Sequence, residues 1–347
     1  MEGFVCEELG NRRLPLVVKP KDRCRSFEEF IGLVEENRDD LKKELLDVGG
    51  VLFRGFPVNG AKEFSQVIDA MQVGEQVRYI GGDSPRTRVE NAVYTSTEAP
   101  PGIKISLHNE MSFQKNYPTH IFFYCDIPPK EGGETIIGDA RAIGDSVEDR
   151  VRKRFEEKKL KYISRYYFKS RFMDMINELQ KGHKTWIDVF ETDQKEEVEK
   201  RCRKNDFGFR WLGNDWLEVN QVRPPTMPHP VTKEDTWFNQ IHLYDYNPRF
   251  LGWPRYLGVK LFYCLKDTLV HESRFGDDAK ISRSDIYHIH DKLDEHTVAF
   301  PWEKGDVMML DNVLTMHGRN PFKGKRRILT AMTKDQTWEK SKTPHRT

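Results

Sequence analysis

The spacing of hydrophobic positions changes several times along this chain. Phe30, Ile31, Leu33, Val34, Leu41 and Leu45 recur at roughly helical intervals. Ser26 stands ahead of them with Glu29 three residues on, a capping-box start, and Gly49-Gly50 supplies a stop. VLF at 51–53 then reads as a short buried strand, and residues 61–71 as a second helix. HIFFYCDI is apolar and β-prone, PPKEGG is a turn, and ETIIGD has the character of a returning strand. Together they predict a hairpin with a long loop. Charged helical text covers 147–160, with further helix-like text near 195–203 and 284–293. The chain returns to β character in HTVAFPW, GDVMMLDN and RRILTAMT.

Strands therefore come early and late, with helical and irregular text between them. A fold that brings both ends of a chain into one sheet system is a β-sandwich or barrel with insertions. The expected class is mainly β with helical insertions (α+β). We expect one domain over 1–347, with a helix-rich insertion at about 163–296. Neither a P-loop nor a dinucleotide-binding G-x-G-x-x-G is present, which argues against a nucleotide-binding α/β fold.

Charge and composition narrow the partners. Lys plus Arg is 56 against 55 for Asp plus Glu, so nothing electrostatic points to nucleic acid or an anionic membrane. No apolar run is long enough to span a bilayer, and no secretory signal opens the chain. Five cysteines without a C-x-x-C pair fit a reducing, cytosolic setting better than a disulfide framework.

Three short motifs carry candidate chemistry. In LHNEMSF, His108 and Glu110 are two residues apart, so on an extended strand both face one side and reach one metal. One imidazole and one carboxylate make two-thirds of a facial triad for non-haem Fe(II). In TMHGRNPFKGKRRILTAM, His317 precedes the pair Arg326-Arg327, and an Arg fork suits a carboxylate. In PPKEGGETIIGDAR, two glycines allow a tight turn before Thr135, Asp139 and Arg141. Taken singly, each is ordinary: a solvated His-Glu pair, a surface turn with a basic rim, a hairpin turn.

Their order is distinctive: H-x-E, then GGET, then a late His followed by an Arg pair. With GGVLFRGFPV, YIGGDSPRT, FFYCDIPPKEGGET and PWEKGDVMMLDN, it resembles the taurine dioxygenase/TfdA family of Fe(II)/2-oxoglutarate oxygenases, especially its clavaminate synthase-like branch. The anchors span 49–333, while 163–296 carries few. The resemblance implies a double-stranded β-helix, or jelly roll. It implies His108, Glu110 and His317 as iron ligands, and 2-oxoglutarate and O2 as co-substrates. Thr135 and Arg327 would hold the distal carboxylate of 2-oxoglutarate. A further inner arginine found four residues on in taurine dioxygenase falls on Ala331, which argues against a sulfonate substrate. Glu110 fills the position that halogenases of this type leave to a small residue, so hydroxylation of an unactivated C–H is the expected outcome, with release of succinate and CO2.

Substrate candidates lie on loops near the motifs. Asn109 and Ser112 flank the ligands, Arg86 and Arg88 are candidates for a carboxylate or phosphate, and Glu98 for an amine. Trp237 and Asn239 are candidate pocket walls, and Arg141 is a further candidate whose alternative duty is to satisfy a nearby Asp or a backbone carbonyl. Polar, charged loops favour an amino acid or an amino-acyl group on a carrier protein, in specialised metabolism. Two rival readings are a zinc hydrolase, since two His and one Glu also bind catalytic zinc, and a non-catalytic jelly-roll binding protein. The other histidines, among them His229, His242, His288 and His290, are expected to be surface or core residues.

Overall fold

The computed structural model describes residues 1–9, 12–77, 87–90, 92–97, 99–168, 171, 173, 184–263 and 269–340. A nine-stranded major sheet draws on both ends of the chain. In spatial order it runs Phe4–Leu9, Arg12–Pro20, Gly50–Phe53, Val307–Asp311, His120–Ile127, Arg327–Lys334, Val93–Thr95 and Arg88–Glu90, with Glu75–Gln76 also paired to Arg327–Lys334. A minor sheet has the order Thr135–Asp139, Thr315–Arg319, Ile105–His108. The two are in contact where Phe123 of the major sheet meets His317 of the minor one, ring centroids 5.3 Å apart.

The His120–Ile127 text is apolar without alternation because both its faces are covered. On one side Tyr124 stacks on Phe64 of the helix Gly60–Met71, and on the other Phe123 packs on His317. The expected hairpin between this strand and Thr135–Asp139 does not form. The two strands lie in different sheets, each paired with C-terminal text: the first with Val307–Asp311 and Arg327–Lys334, the second with Thr315–Arg319. Gly132 and Gly133 turn the chain between the sheets at φ 66° and 70°. A Cβ on Gly132 would sit 2.3 Å from the Pro321 carbonyl oxygen, so the crossing requires glycine there.

Other expectations shift in detail. Ser26 caps the first helix as expected, accepting from the Glu29 amide at 3.2 Å. The single N-terminal helix is two, Phe27–Glu36 and Arg38–Val48, with Asn37 between them at φ −102° and ψ 12° and its carboxamide donating to the Leu33 carbonyl at 2.9 Å. Gly49 ends the second at φ 90°. HTVAFPW makes only a single bridge, Val298 to Ile137, while Phe300 and Trp302 are buried. The middle of the chain is not simply helix-rich. Its framework is a four-stranded antiparallel sheet of Gly208–Trp211, Leu217–Arg223, Leu160–Tyr166 and His271–Phe275, with the helices Lys195–Lys204 and Arg283–Glu295 beside it in sequence. Among the described residues no helix is long and apolar enough to cross a membrane.

Candidate metal centre and co-substrate pocket

The minor sheet sets His108 directly opposite His317 in antiparallel register, with their rings 4.4 Å apart. Glu110 lies just beyond the end of the Ile105–His108 strand, and Met111 follows at φ 55°, turning the chain away. One ligand atom from each of His108, Glu110 and His317 lies within 4.8 Å of the others. His317 Nε2 is 3.5 Å from a Glu110 carboxylate oxygen. Glu110 and His317 are buried and His108 half-buried. The contact between His108 Nδ1 and the Ser106 carbonyl, at 3.0 Å, places the ring proton on Nδ1 and makes Nε2 the candidate ligand atom. This donor set suits a divalent transition metal: two imidazoles and a carboxylate from one side, with the other side open. His242 and His290 face each other at 5.2 Å in the core, where burial lowers both, His290 to about 4. They are core residues, as expected.

Asn312 holds the ligand segment in place and carries no obvious signal in the sequence. Its Oδ1 accepts from the Glu110 amide at 2.8 Å, and its Nδ2 donates to the carbonyls of Glu110 and Pro118. Asn109 donates to the Asn312 carbonyl in return. The neighbouring Asp311 accepts from the amides of Val313 and Leu314 and faces His229 at 3.1 Å, both side chains fully buried. The LDN text before His317 is thus a turn and a clamp that fix where the third ligand strand begins.

Beside the ligands lies a pocket lined by Ser96, Phe123, Thr135, Arg319 and Arg326 together with His108 and His317. Of the arginine pair, it is Arg326 that reaches it. Arg327 is exposed and pairs with Asp126 at 2.9 Å. Side chains alternate along a strand, so Arg326 shares the face of Thr330, which pairs with the inward-facing Phe123, and Arg327, the expected residue, takes the opposite face. Counting from Arg326, the residue four on is Thr330 rather than Ala331. It is uncharged too, and donates to the Phe122 carbonyl.

Arg326 donates to the Gly133 carbonyl at 2.8 Å, to Ser96 Oγ at 3.2 Å, and to Thr135 Oγ1 at 3.5 Å. The Trp302 indole also donates to Thr135 Oγ1, at 3.2 Å. With two donors on its oxygen, the Thr135 hydroxyl keeps its own hydrogen for an acceptor in the pocket. Arg319 donates to the carbonyls of Thr97, Ala99, Pro100 and Ile103, which pins the segment over the pocket. Both guanidinium groups lie near the Phe322 ring, at 5.2 and 5.6 Å. Among the described residues neither has a carboxylate within ion-pair distance. Burial lowers both to about 10, with the like charge of Arg319 adding to the shift of Arg326. Two largely desolvated cations with no carboxylate in ion-pair reach among the described residues favour an anion in this pocket.

The substrate candidates scatter. Arg86 and Glu98 lie outside the described residues, and Arg88 is exposed. Trp237 is fully buried against Phe155, in the core rather than at the pocket. Asn239 donates to the Pro225 carbonyl and shapes a turn. Arg141 is taken up by Asp139, Glu234 and the Asp47 carbonyl. Ser112 sits 3.4 Å from Gln240. Of the described candidates, Asn109 stands between His108 and Glu110 in sequence, and its carboxamide is taken up by the Asn312 carbonyl.

A family model described as Taurine catabolism dioxygenase TauD, TfdA family matches residues 18–333. The chain is 32% identical over 288 residues to the dapdiamide synthesis protein DdaC of Enterobacter agglomerans, covering 83% of each. It is 30% identical over 338 residues to a clavaminate synthase-like protein of Arabidopsis thaliana, covering 93% of this chain and 94% of that one. Among solved structures, PvcB from Pseudomonas aeruginosa superposes with a TM-score of 0.51 at 13% identity, over 94% of this chain and 87% of that one. A taurine dioxygenase from Burkholderia xenovorans gives 0.51 at 14% identity, over 95% and 89%. At such identities the structural likeness concerns the fold.

Proposed function

Because this chain belongs to the TauD/TfdA family of Fe(II)- and 2-oxoglutarate-dependent dioxygenases, we propose that His108, Glu110 and His317 hold its iron, and that Thr135 and Arg326 hold the distal carboxylate of its 2-oxoglutarate. The protein is an oxidoreductase, and its cofactors are Fe(II), 2-oxoglutarate as co-substrate, and O2. When bound, these supply an oxidant able to take hydrogen from an unactivated C–H, leaving succinate and CO2. The observation that carries the residue assignment is the juxtaposition of three clustered ligand atoms with Arg326, which has no carboxylate in ion-pair reach among the described residues. Arg326 and the Thr135 hydroxyl set the co-substrate's length and direction. Phe123 and the buried sheet faces exclude water. We read the two sheets as a double-stranded β-helix, and the whole chain, insertion included, as one oxygenase unit.

The finer reading is hydroxylation of an amino acid or a carrier-bound amino-acyl group in specialised metabolism. Glu110 as a ligand supports hydroxylation over halogenation, and the relative named for dapdiamide synthesis supports the substrate class. Free Cys6, Cys24, Cys125 and Cys202 support a reducing, cytosolic setting.

Anaerobic addition of Fe(II) and 2-oxoglutarate is expected to give a visible charge-transfer band, which zinc does not give. His317→Ala is expected to lose that band and at least about a thousandfold in turnover, a barrier increase of roughly 4 kcal/mol. An unchanged band in that variant would remove His317 from the metal. Amino acids and carrier-loaded amino acids are the first substrates to screen for substrate-dependent succinate.

A further inference from the structure

A second cavity, of about 310 Å³, opens where the insertion meets the core. Counted along one strand, it lies beyond the metal centre as seen from the co-substrate pocket. Arg326, Thr330 and Met332 share a face. Arg326 ends in the co-substrate pocket, Thr330 pairs with the Phe123 that packs on His317, and Met332 lines the cavity. The step from Thr330 to Met332 is about 7 Å of strand. Met111 and Phe113, just after Glu110, form a second wall, and the insertion closes the space with Phe190, Phe207 and Val219. A dry cavity of about 150 Å³ already admits a benzene ring, so this one has room for an indole or a phenol.

Its polar side chains are already engaged. Arg201 pairs with Glu197 at 3.0 Å and donates to the Phe190 carbonyl. Asn205 donates to the Arg201 carbonyl at 2.9 Å. Asn116 donates to Asn205 at 3.4 Å and accepts from Lys334 at 3.3 Å, which ties core to insertion. Ser164 sits 3.3 Å from His271 Nδ1. A charged group entering the cavity would have to break such contacts or go without a partner. The rings and thioethers of the wall ask for nothing in return, and sulfur atoms and ring edges favour an aromatic guest. The exception among the polar groups is Gln221. It is 7% exposed, sits mid-strand against Tyr162, and its Oε1 has no hydrogen-bond partner. A carboxamide so placed suits one N–H or O–H donor.

We propose that this cavity takes an aromatic side chain of the substrate, and that Gln221 accepts from a donor on that ring, as an indole or a phenol would supply. The proposal rests on the oxygenase reading above and narrows its substrate class.

The test is calorimetric titration of the full-length protein, loaded anaerobically with Fe(II) and 2-oxoglutarate. The probes are N-acetyl amino acid amides with the side chains of tryptophan, tyrosine, phenylalanine, leucine, glutamate and lysine, so the backbone stays neutral and only the side chain varies. The tryptophan and tyrosine probes are expected to bind tightest. Phenylalanine is expected about fivefold weaker, leucine about tenfold, and the two charged probes at least about a hundredfold. Gln221→Leu is expected to remove the advantage over phenylalanine and leave the phenylalanine probe within about twofold. An advantage that survives this change would take Gln221 out of the assignment. Val219→Trp fills the cavity, with Val219→Phe as the milder version, and thermal melts confirm that each folds. Both are expected to weaken every aromatic probe, the larger by at least about tenfold. Charged probes binding as tightly as aromatic ones, aromatic affinity unchanged in the filled variants, or no binding by any probe would overturn the proposal. The visible charge-transfer band of the loaded wild-type protein is recorded in the same samples. Its absence would count against the oxygenase reading and leave the cavity to be judged by the titrations alone.

Discussion

Arg165 in the insertion and Arg326 in the core are both buried arginines, and they are treated in opposite ways. Arg165 lies between two carboxylates, Glu218 at 2.8 Å and Glu272 at 3.0 Å, with its side chain 10% exposed. Arg326 has carbonyl and hydroxyl acceptors but no carboxylate within ion-pair distance among the described residues. Arg319 beside it is in the same condition. A structural arginine brings its counter-charge with it, because a buried unpaired charge is expensive. A binding arginine is left short of one, and the missing partner arrives with the ligand. The contrast separates a cation that holds the insertion sheet together from one that, in the function proposed above, pairs with 2-oxoglutarate.

The comparison breaks most visibly on the structural side. Arg165→Ala is expected to cost about 3 kcal/mol of stability, at the low end for a buried pair because Arg210 and Arg274 still face Glu218 and Glu272. Chemical denaturation measures this. An effect on the KM for 2-oxoglutarate without lost stability would mean that Arg165 does not play the structural part given to it. Next in size is Arg326→Ala, expected to raise the KM for 2-oxoglutarate about a hundredfold, the loss of a charge-assisted pair worth roughly 2.7 kcal/mol. Arg327→Ala, with its exposed partner Asp126, is expected to leave that KM within about twofold. Reversed results for the two arginines would restore the assignment that the motif alone suggests.

That one-residue difference marks how far the sequence carries. The grouping of His108, Glu110 and His317 was legible because the constraint is local: His108 and Glu110 share one strand end, and the GGET and HGR text fixes what surrounds them. The Arg pair suggested an anion site, but which member turns inward depends on which face of the strand meets Phe123, and that is set by pairing with a strand far earlier in the chain. The hairpin misreading has the same origin. Adjacent strands pair by default, yet here each found a partner in the last part of the chain. Trp302 and Asn312 stand inside the PWEKGDVMMLDN text that carried the resemblance, but an indole and a carboxamide acquire their roles only from what they touch. The insertion was least legible. Its strands pair among themselves, and Gln221 looks like any polar residue in a half-exposed strand until its neighbours are seen.

The smallest effect tests the idea of the waiting cation most directly. Without ligand, Arg326 is a cost to the fold, so replacing it with an apolar side chain of similar length should help the empty protein. Arg326→Met gives up hydrogen bonds to Gly133, Ser96 and Thr135, which offsets part of the gain. The expected net is about 1 kcal/mol in favour of the variant, a rise in melting temperature of roughly 2 °C. Ligand then reverses the ranking. With Fe(II) bound anaerobically and 2-oxoglutarate at a hundred times its Kd, the wild-type protein gains about 2.7 kcal/mol, while a variant that no longer binds it gains almost nothing. The two melting curves should therefore cross as 2-oxoglutarate is added. Curves that keep the same order throughout, with the wild type always above, would mean that Arg326 is a structural cation like Arg165 and that its counter-charge is already within the fold.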